Sequence, residues 1–164
     1  MLWLGLIFIL SSQPYQAQSL KPLLNQQFSQ DKLQEVLPDV SFPYRESIIS
    51  AKKDPVHFIE FVFRKGAHLF MYAMLAVLAS IALLPYRMPL MVKGCFILAA
   101  VAMTAILDEW NQLHRAERTG AVQDVFIDLS GGLIGLLLVS LVYHRFRASR
   151  RESALRGGRE SGQP

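Results

Sequence analysis

Residues 65–84 read KGAHLFMYAMLAVLASIALL, and this stretch decides the fold. Its lysine, histidine and tyrosine lie towards one end, and the remainder is almost wholly apolar. The apolar run at residues 66–84 approaches the roughly 20 residues that a membrane-spanning helix requires. The stretch therefore predicts a transmembrane helix with polar groups near one end.

Two further apolar runs of similar length follow, at residues 90–107 and 125–143. Of the 164 residues, 52% are hydrophobic and 18% are charged, and the mean hydropathy is +0.27. These values favour a membrane protein over a soluble domain in which the same runs would be buried core helices. We predict an all-α, polytopic membrane helical bundle. The single cysteine, Cys95, cannot form an intrachain disulfide.

Residues 1–12 form a shorter apolar run, about half the length of a membrane span. A signal peptide that ends near residues 17–19 is one interpretation, but no basic residue precedes the run and Pro14 follows it closely. We favour a short or truncated first transmembrane helix. The bundle would then contain about four transmembrane helices.

Positive charge predicts the orientation of these helices. Six arginines and two glutamates occur after His144, and the connection near residue 87 holds Arg87 with Lys93 just beyond it. Lysine and arginine accumulate on the cytoplasmic side, whereas long loops cross the membrane largely regardless of charge. We therefore expect both termini to be cytoplasmic and residues 13–57 and 108–124 to be extracytoplasmic.

The extracytoplasmic segment at residues 13–57 has an apolar pattern of its own. Leucine, valine and phenylalanine recur at near-helical spacing between Leu20 and Leu37, which predicts an amphipathic helix at the membrane interface that ends at Pro38. Asp54 and Pro55 then predict the N-cap and the first residue of a new helix that enters the membrane.

The remaining chain divides into a membrane domain at residues 58–147 and a tail at residues 148–164. The tail is rich in arginine, glycine, serine and glutamate and lacks apolar periodicity. This composition predicts a basic, disordered cytoplasmic segment.

In each of the three long predicted helices, the polar residues lie on the same helical face as a row of small residues further along that helix. These polar residues are Lys65, His68 and Tyr72 in the first helix, Glu109 and Gln112 in the second, and Asp124 and Asp128 in the third. Beyond the aspartates, Gly131 and Gly135 form a G-x-x-x-G pair that favours close helix packing. Ionisable groups in membrane spans are costly and normally face the interior of the bundle, where they serve a function. We therefore expect the three polar ends to meet in one outward-facing interior pocket.

Asp128 lies about 6 Å deeper than Asp124 along the predicted helix. A carboxylate at that depth needs a partner or a proton. Lys65, His68 and Arg118 are the available cations, and Tyr72 is an available hydrogen-bond donor.

The stretches RKGAHLFMYAML and DEWNQLHRAERTGAVQDVFIDLSGGLIG resemble the VanZ-like family of small bacterial membrane proteins. The family pattern is K-x-x-H-x-x-x-Y in one helix, then E-x-x-Q, followed by arginine, aspartate and glycine. The matching positions are Lys65, His68, Tyr72, Glu109, Gln112, Arg118, Asp124 and Gly131. Asp128 stands where the family often has asparagine, which adds a second ionisable group.

This resemblance covers roughly residues 58–143. It implies a multi-pass protein of the bacterial cytoplasmic membrane, linked through the family's namesake to resistance against the glycopeptide antibiotic teicoplanin. It does not imply a settled biochemical activity.

One interpretation of the polar residues is a binding site for a lipid headgroup or a cell-wall precursor. Arg118 and Lys65 would hold a phosphate or carboxylate, and Glu109, Gln112 and Asp124 would accept hydrogen bonds from the ligand.

A second interpretation is a membrane-embedded enzyme with Glu109 or Asp128 as general base and His68 as proton shuttle. A divalent metal between Asp124 and Asp128 belongs to this interpretation. The sequence contains no nucleophile motif and no H-E-x-x-H pattern, which counts against it.

A third interpretation is a purely structural network, in which Lys65 or His68 pairs with Glu109 and Arg118 pairs with Asp124.

The first interpretation, a binding site, requires no cofactor and no metal. Its partners are the lipid bilayer and one bound envelope molecule. We predict no nucleic-acid partner, because the isoelectric point near 9.4 comes largely from the arginine-rich tail.

Overall fold

The computed structural model describes residues 2–13, 18–44, 47–113 and 122–160. Six helices and one β-hairpin occupy these residues. In chain order they are α1 (Leu2–Ser11), α2 (Lys21–Gln27), α3 (Gln30–Val36), β1 (Ser41–Tyr44), β2 (Ser47–Ser50), α4 (Pro55–Ala82), α5 (Leu90–Leu113) and α6 (Val122–Glu160).

Three helices, α4, α5 and the Val122–Phe146 part of α6, are long and apolar enough to cross a membrane. Most of their large apolar side chains point away from the bundle and are exposed. An apolar exterior of this kind is what a lipid environment requires. With the short α1, these helices confirm the predicted helical membrane bundle.

Helix α4 begins at Pro55, well before the apolar run from which it was predicted. The Asp54 carboxylate accepts a hydrogen bond from the backbone N–H of His57 at 3.0 Å, and Pro55 occupies the first turn. This arrangement satisfies an otherwise unpaired helix N–H group. The predicted helix start is therefore confirmed.

Helix α1 packs against the other helices with one face, although it is only half the length of a span. Trp3 Nε1 donates to the carbonyl of Met71 at 3.0 Å, in the middle of α4. At the other end of α1, Gln112 Nε2 donates to the Ser11 hydroxyl at 2.9 Å. Ile7, between them, is buried in the same core cluster as Tyr72. Helix α1 therefore runs from the middle of α4 to the polar end of the bundle.

The closest helix contact joins α4 and α6. A Cβ atom added to Gly131 would overlap the Leu69 carbonyl, and one added to Gly135 would overlap the Ala73 carbonyl. Only residues without a side chain permit this approach of two backbones. Gly132 faces α5 instead, where an added Cβ would lie 2.7 Å from Val101 Cγ1.

The segment before α4 differs from the single amphipathic helix predicted for it. Helices α2 and α3 are separate because the backbone is extended at Phe28 and Ser29, and the antiparallel hairpin β1–β2 follows them. Phe42 of β1 packs against the rings of Phe58 and Phe61 in α4. This aromatic contact holds the hairpin against the first two turns of α4.

The backbone of α6 remains helical to Glu160, past Ala148, where composition predicts the start of a disordered tail. Arginine, glutamate, alanine and leucine are strong helix formers, so local propensity favours continuation of the helix. At 1.5 Å per residue, α6 is roughly 58 Å long, which exceeds the thickness of a bilayer.

Candidate functional site

One cluster of polar side chains lies where α4, α6 and the hairpin meet. Lys65 Nζ is 2.5 Å from Asp124 Oδ1, and the Tyr44 hydroxyl donates to the same carboxylate oxygen. Lys65 Nζ also lies 5.0 Å from the Tyr44 ring centroid and 5.7 Å from that of Phe61. The ammonium group is therefore held by a carboxylate and by two aromatic faces.

A second pair lies one helical turn deeper between the same two helices. His68 Nδ1 is 3.2 Å from Asp128 Oδ1, and Asp128 is wholly buried. The His68 ring stacks on Tyr72, with centroids 6.5 Å apart and planes 18° from parallel. The spacing of three and four residues along α4 places these side chains on one face, as the sequence predicts.

Helix α5 supplies Asp108, Glu109 and Gln112, all of them buried. Gln112 Nε2 donates to Asp108 Oδ2 at 3.1 Å as well as to Ser11 of α1. Asp108 was not among the predicted site residues. Its spacing of seven residues from the buried Val101 and four from Gln112 is a signal for burial, but Glu109 has similar spacing from Ala105 and Gln112.

The predicted residues of the described chain gather at one end of the bundle. Lys65 forms an ion pair with Asp124, and His68 contacts Asp128. Asp124 and Asp128 contact different cations, Lys65 and His68 respectively. Arg118 lies outside the described residues.

A cavity of about 320 Å³ lies beside this cluster, between α1 and α4. We call it the α1–α4 cavity. Its walls are mainly apolar. The charged and polar side chains that line it include Arg64, His68, Tyr72 and Asp108, together with Glu60 beside Leu20. Glu60 is buried and accepts the backbone N–H of Leu20 at 3.2 Å. Arg64 and Glu60 were not predicted as site residues.

Three side chains have the donor atoms and the proximity to hold a metal ion. His68, Asp108 and Asp128 each offer one ligand atom, and these atoms lie within 4.8 Å of one another. We call these residues the interhelical triad, because they belong to α4, α5 and α6 respectively.

The spanning helices and the charged groups buried between them define a polytopic membrane protein with a polar centre. A family model described as VanZ/LLP1 matches residues 1–143. The chain therefore belongs to the VanZ/LLP1 family, which confirms the resemblance seen in the sequence. Neither the curated proteins nor the solved structures give a match.

Proposed function

We propose that this membrane protein binds an amphiphilic envelope molecule in the α1–α4 cavity. The observation that carries the proposal is the cavity itself, which joins an apolar wall to a group of charged side chains. Its volume of about 320 Å³ suits a headgroup and the first part of an acyl chain, since small-molecule sites range from about 300 to 1,000 Å³.

The apolar wall suits a hydrocarbon chain. Ile7 and Leu10 of α1 face Phe63, Ala67 and Met71 of α4 across the cavity. Apolar surface on both sides favours an apolar ligand segment over a fully hydrated one.

The charged lining suits a polar or anionic headgroup. Arg64 is the cation that we assign to a phosphate or carboxylate, because its planar guanidinium forms paired hydrogen bonds with such groups. This assignment replaces Lys65, whose ammonium group is engaged by Asp124 and Tyr44.

The ligand classes we propose are a phospholipid headgroup and a lipid-linked cell-wall precursor, taken from the outer leaflet. The arginines in the last part of α6 favour a cytoplasmic carboxyl end, and the polar end of the bundle would then face outside. The namesake of the VanZ family suggests the cell-wall precursor and a contribution to teicoplanin resistance.

The test is mass spectrometry of lipids and wall precursors that copurify with the full-length protein. Ala67→Phe fills the cavity, and Arg64→Ala removes the proposed headgroup contact. Each is expected to reduce the bound amphiphile at least tenfold relative to wild type. Ala82→Phe and Arg87→Ala are the matched controls, because Ala82 is exposed at the carboxyl end of α4 and Arg87 is exposed in the connection that follows it.

The identity of the lost species distinguishes a phospholipid from a wall precursor. Equal recovery of the same amphiphile from wild type, Ala67→Phe and Arg64→Ala would show that the cavity does not bind it. Loss in the control variants as well would point to binding on the lipid-facing surface and would also contradict the proposal.

A further inference from the structure

We propose that the interhelical triad binds one divalent transition-metal ion, and that Zn²⁺ is the ion its donor atoms favour. Each of the three spanning helices contributes one ligand: His68 from α4, Asp108 from α5 and Asp128 from α6. The inference concerns a metal alone and does not depend on the proposed amphiphile.

The spacing of the triad is close to that of a formed metal site. A metal about 2.1 Å from each ligand atom holds those atoms no more than about 4.2 Å apart. The ligand atoms of the triad lie within 4.8 Å of one another. Small rotations of the side chains therefore complete the site without a movement of the helices.

Two buried polar atoms at the triad provide independent support. Asp128 Oδ2 is buried without a hydrogen bond of ordinary geometry among the described residues. The Tyr72 hydroxyl, on a side chain only 1% exposed, lies close to the Asp128 carboxylate. A bound cation engages the open oxygen of Asp128, and a water or ligand on that cation reaches Tyr72.

Charge balance also favours a divalent cation. Asp108 and Asp128 are both fully buried, so two carboxylates lie in a region where unbalanced charge is expensive. Two carboxylates and a neutral imidazole together carry two negative charges, which one divalent cation neutralises.

The donor set distinguishes among metals. Mg²⁺ and Ca²⁺ prefer oxygen ligands throughout, whereas Zn²⁺ accepts imidazole nitrogen together with carboxylate oxygen. Three protein ligands leave a fourth position on Zn²⁺. His68, Asp108 and Tyr72 line the α1–α4 cavity, so this open position faces that cavity.

Gln112 acts as a positioning residue for the site. Its amide donates to Asp108 Oδ2 at 3.1 Å and to Ser11 at 2.9 Å, which fixes the Asp108 carboxylate against α1. Partners of this kind usually orient metal ligands, and their loss weakens metal affinity about 10–100-fold.

The test is titration of chelator-treated, full-length protein with ZnCl₂ by calorimetry, with bound zinc counted by elemental analysis. Wild type is expected to bind one zinc per chain without added lipid. Asp108→Asn and Asp128→Asn should abolish that binding, and Gln112→Ala should weaken it about 10–100-fold.

Asp39→Asn is the matched control, because it makes the same change at an exposed position away from the triad. It should retain wild-type zinc affinity. In a parallel titration with CoCl₂, wild type should gain a visible absorption band that Asp128→Asn lacks.

If the wild-type protein shows no saturable binding of ZnCl₂, the proposal is wrong. This result holds whether or not the variants can be produced. Zinc binding that survives Asp108→Asn and Asp128→Asn overturns it equally, because the ion would then lie elsewhere. Neither result bears on amphiphile binding, which the cavity-filling variant Ala67→Phe tests separately.

Discussion

Replacement of Gly135 by alanine should separate the two helices that hold this bundle together. The new Cβ atom would lie 3.0 Å from the carbonyl carbon of Ala73 and 3.1 Å from its Cα, and would overlap the carbonyl oxygen. Ordinary carbon contacts require about 3.5–4.0 Å. The obstructing atoms are backbone, so the clash cannot be relieved by a side-chain rotation.

The expected loss of stability follows from this geometry. Overpacking of a close interface costs about 1–3 kcal/mol, and the rigid backbone obstacle puts Gly135→Ala near the upper end. A loss of about 3 kcal/mol corresponds to a fall of roughly 6–12 °C in unfolding temperature for a domain of this size. The same reasoning applies to Gly131→Ala, which meets the backbone of Leu69.

Thermal unfolding of the purified protein in detergent or nanodiscs measures the effect. Gly94→Ala is the matched control, because no atom lies within 4 Å of a Cβ added there. Alanine is the better helix former, so this control should gain up to about 1 kcal/mol. Equal unfolding temperatures for Gly135→Ala and Gly94→Ala would refute close packing of α4 on α6.

Three further predictions concern the polar end of the bundle. Lys65→Met should destabilise the protein by about 3 kcal/mol, because it leaves the Asp124 carboxylate without its cation. The double variant Lys65→Met/Asp124→Leu should recover most of this stability in the same unfolding assay. A double variant as unstable as the single variant would contradict the pairing. His68→Ala at normal protein abundance should abolish any change in glycopeptide susceptibility that the wild-type gene confers; an unchanged minimum inhibitory concentration would favour a purely structural network. Reporter fusions after Val122 should report an extracytoplasmic location and fusions after Arg147 a cytoplasmic one; the reverse pattern would move the polar end to the inside.

Much of the fold could be predicted from the sequence because its signals are local. Apolar runs define the three spans, and Asp54 with Pro55 defines the start of α4. Helical spacing also predicts that Lys65 and His68 share a face. Each of these features depends on residues within a few turns of one another.

The hairpin could not be predicted in the same way. Its strands SFPY and SIIS are short, and the two residues between them in the sequence include no glycine. The hairpin packs on α4 through Phe42 and the rings of Phe58 and Phe61. That contact joins distant parts of the chain, so no local pattern reveals it.

Asp108 was missed for a related reason. Asp108 and Glu109 are adjacent acids about 100° apart on α5, and periodicity alone does not decide which one points at the neighbouring helices. The position of α1 determines how the Asp108 side chain points, because Gln112 donates both to Ser11 of α1 and to the Asp108 carboxylate. The ion-pair partners of Lys65 and His68 likewise depend on the rotation of α6 against α4.

The hydrogen bond from Tyr44 to Asp124 links the β1–β2 hairpin to the polar side chains between α4 and α6. Asp124 lies one helical turn from Asp128, so the group that anchors the hairpin is a close electrostatic neighbour of the interhelical triad. Displacement of the hairpin would hydrate Asp124 and Lys65 and would alter the field at Asp128. The position of the hairpin on α4 therefore determines how well the Lys65–Asp124 pair is shielded from water.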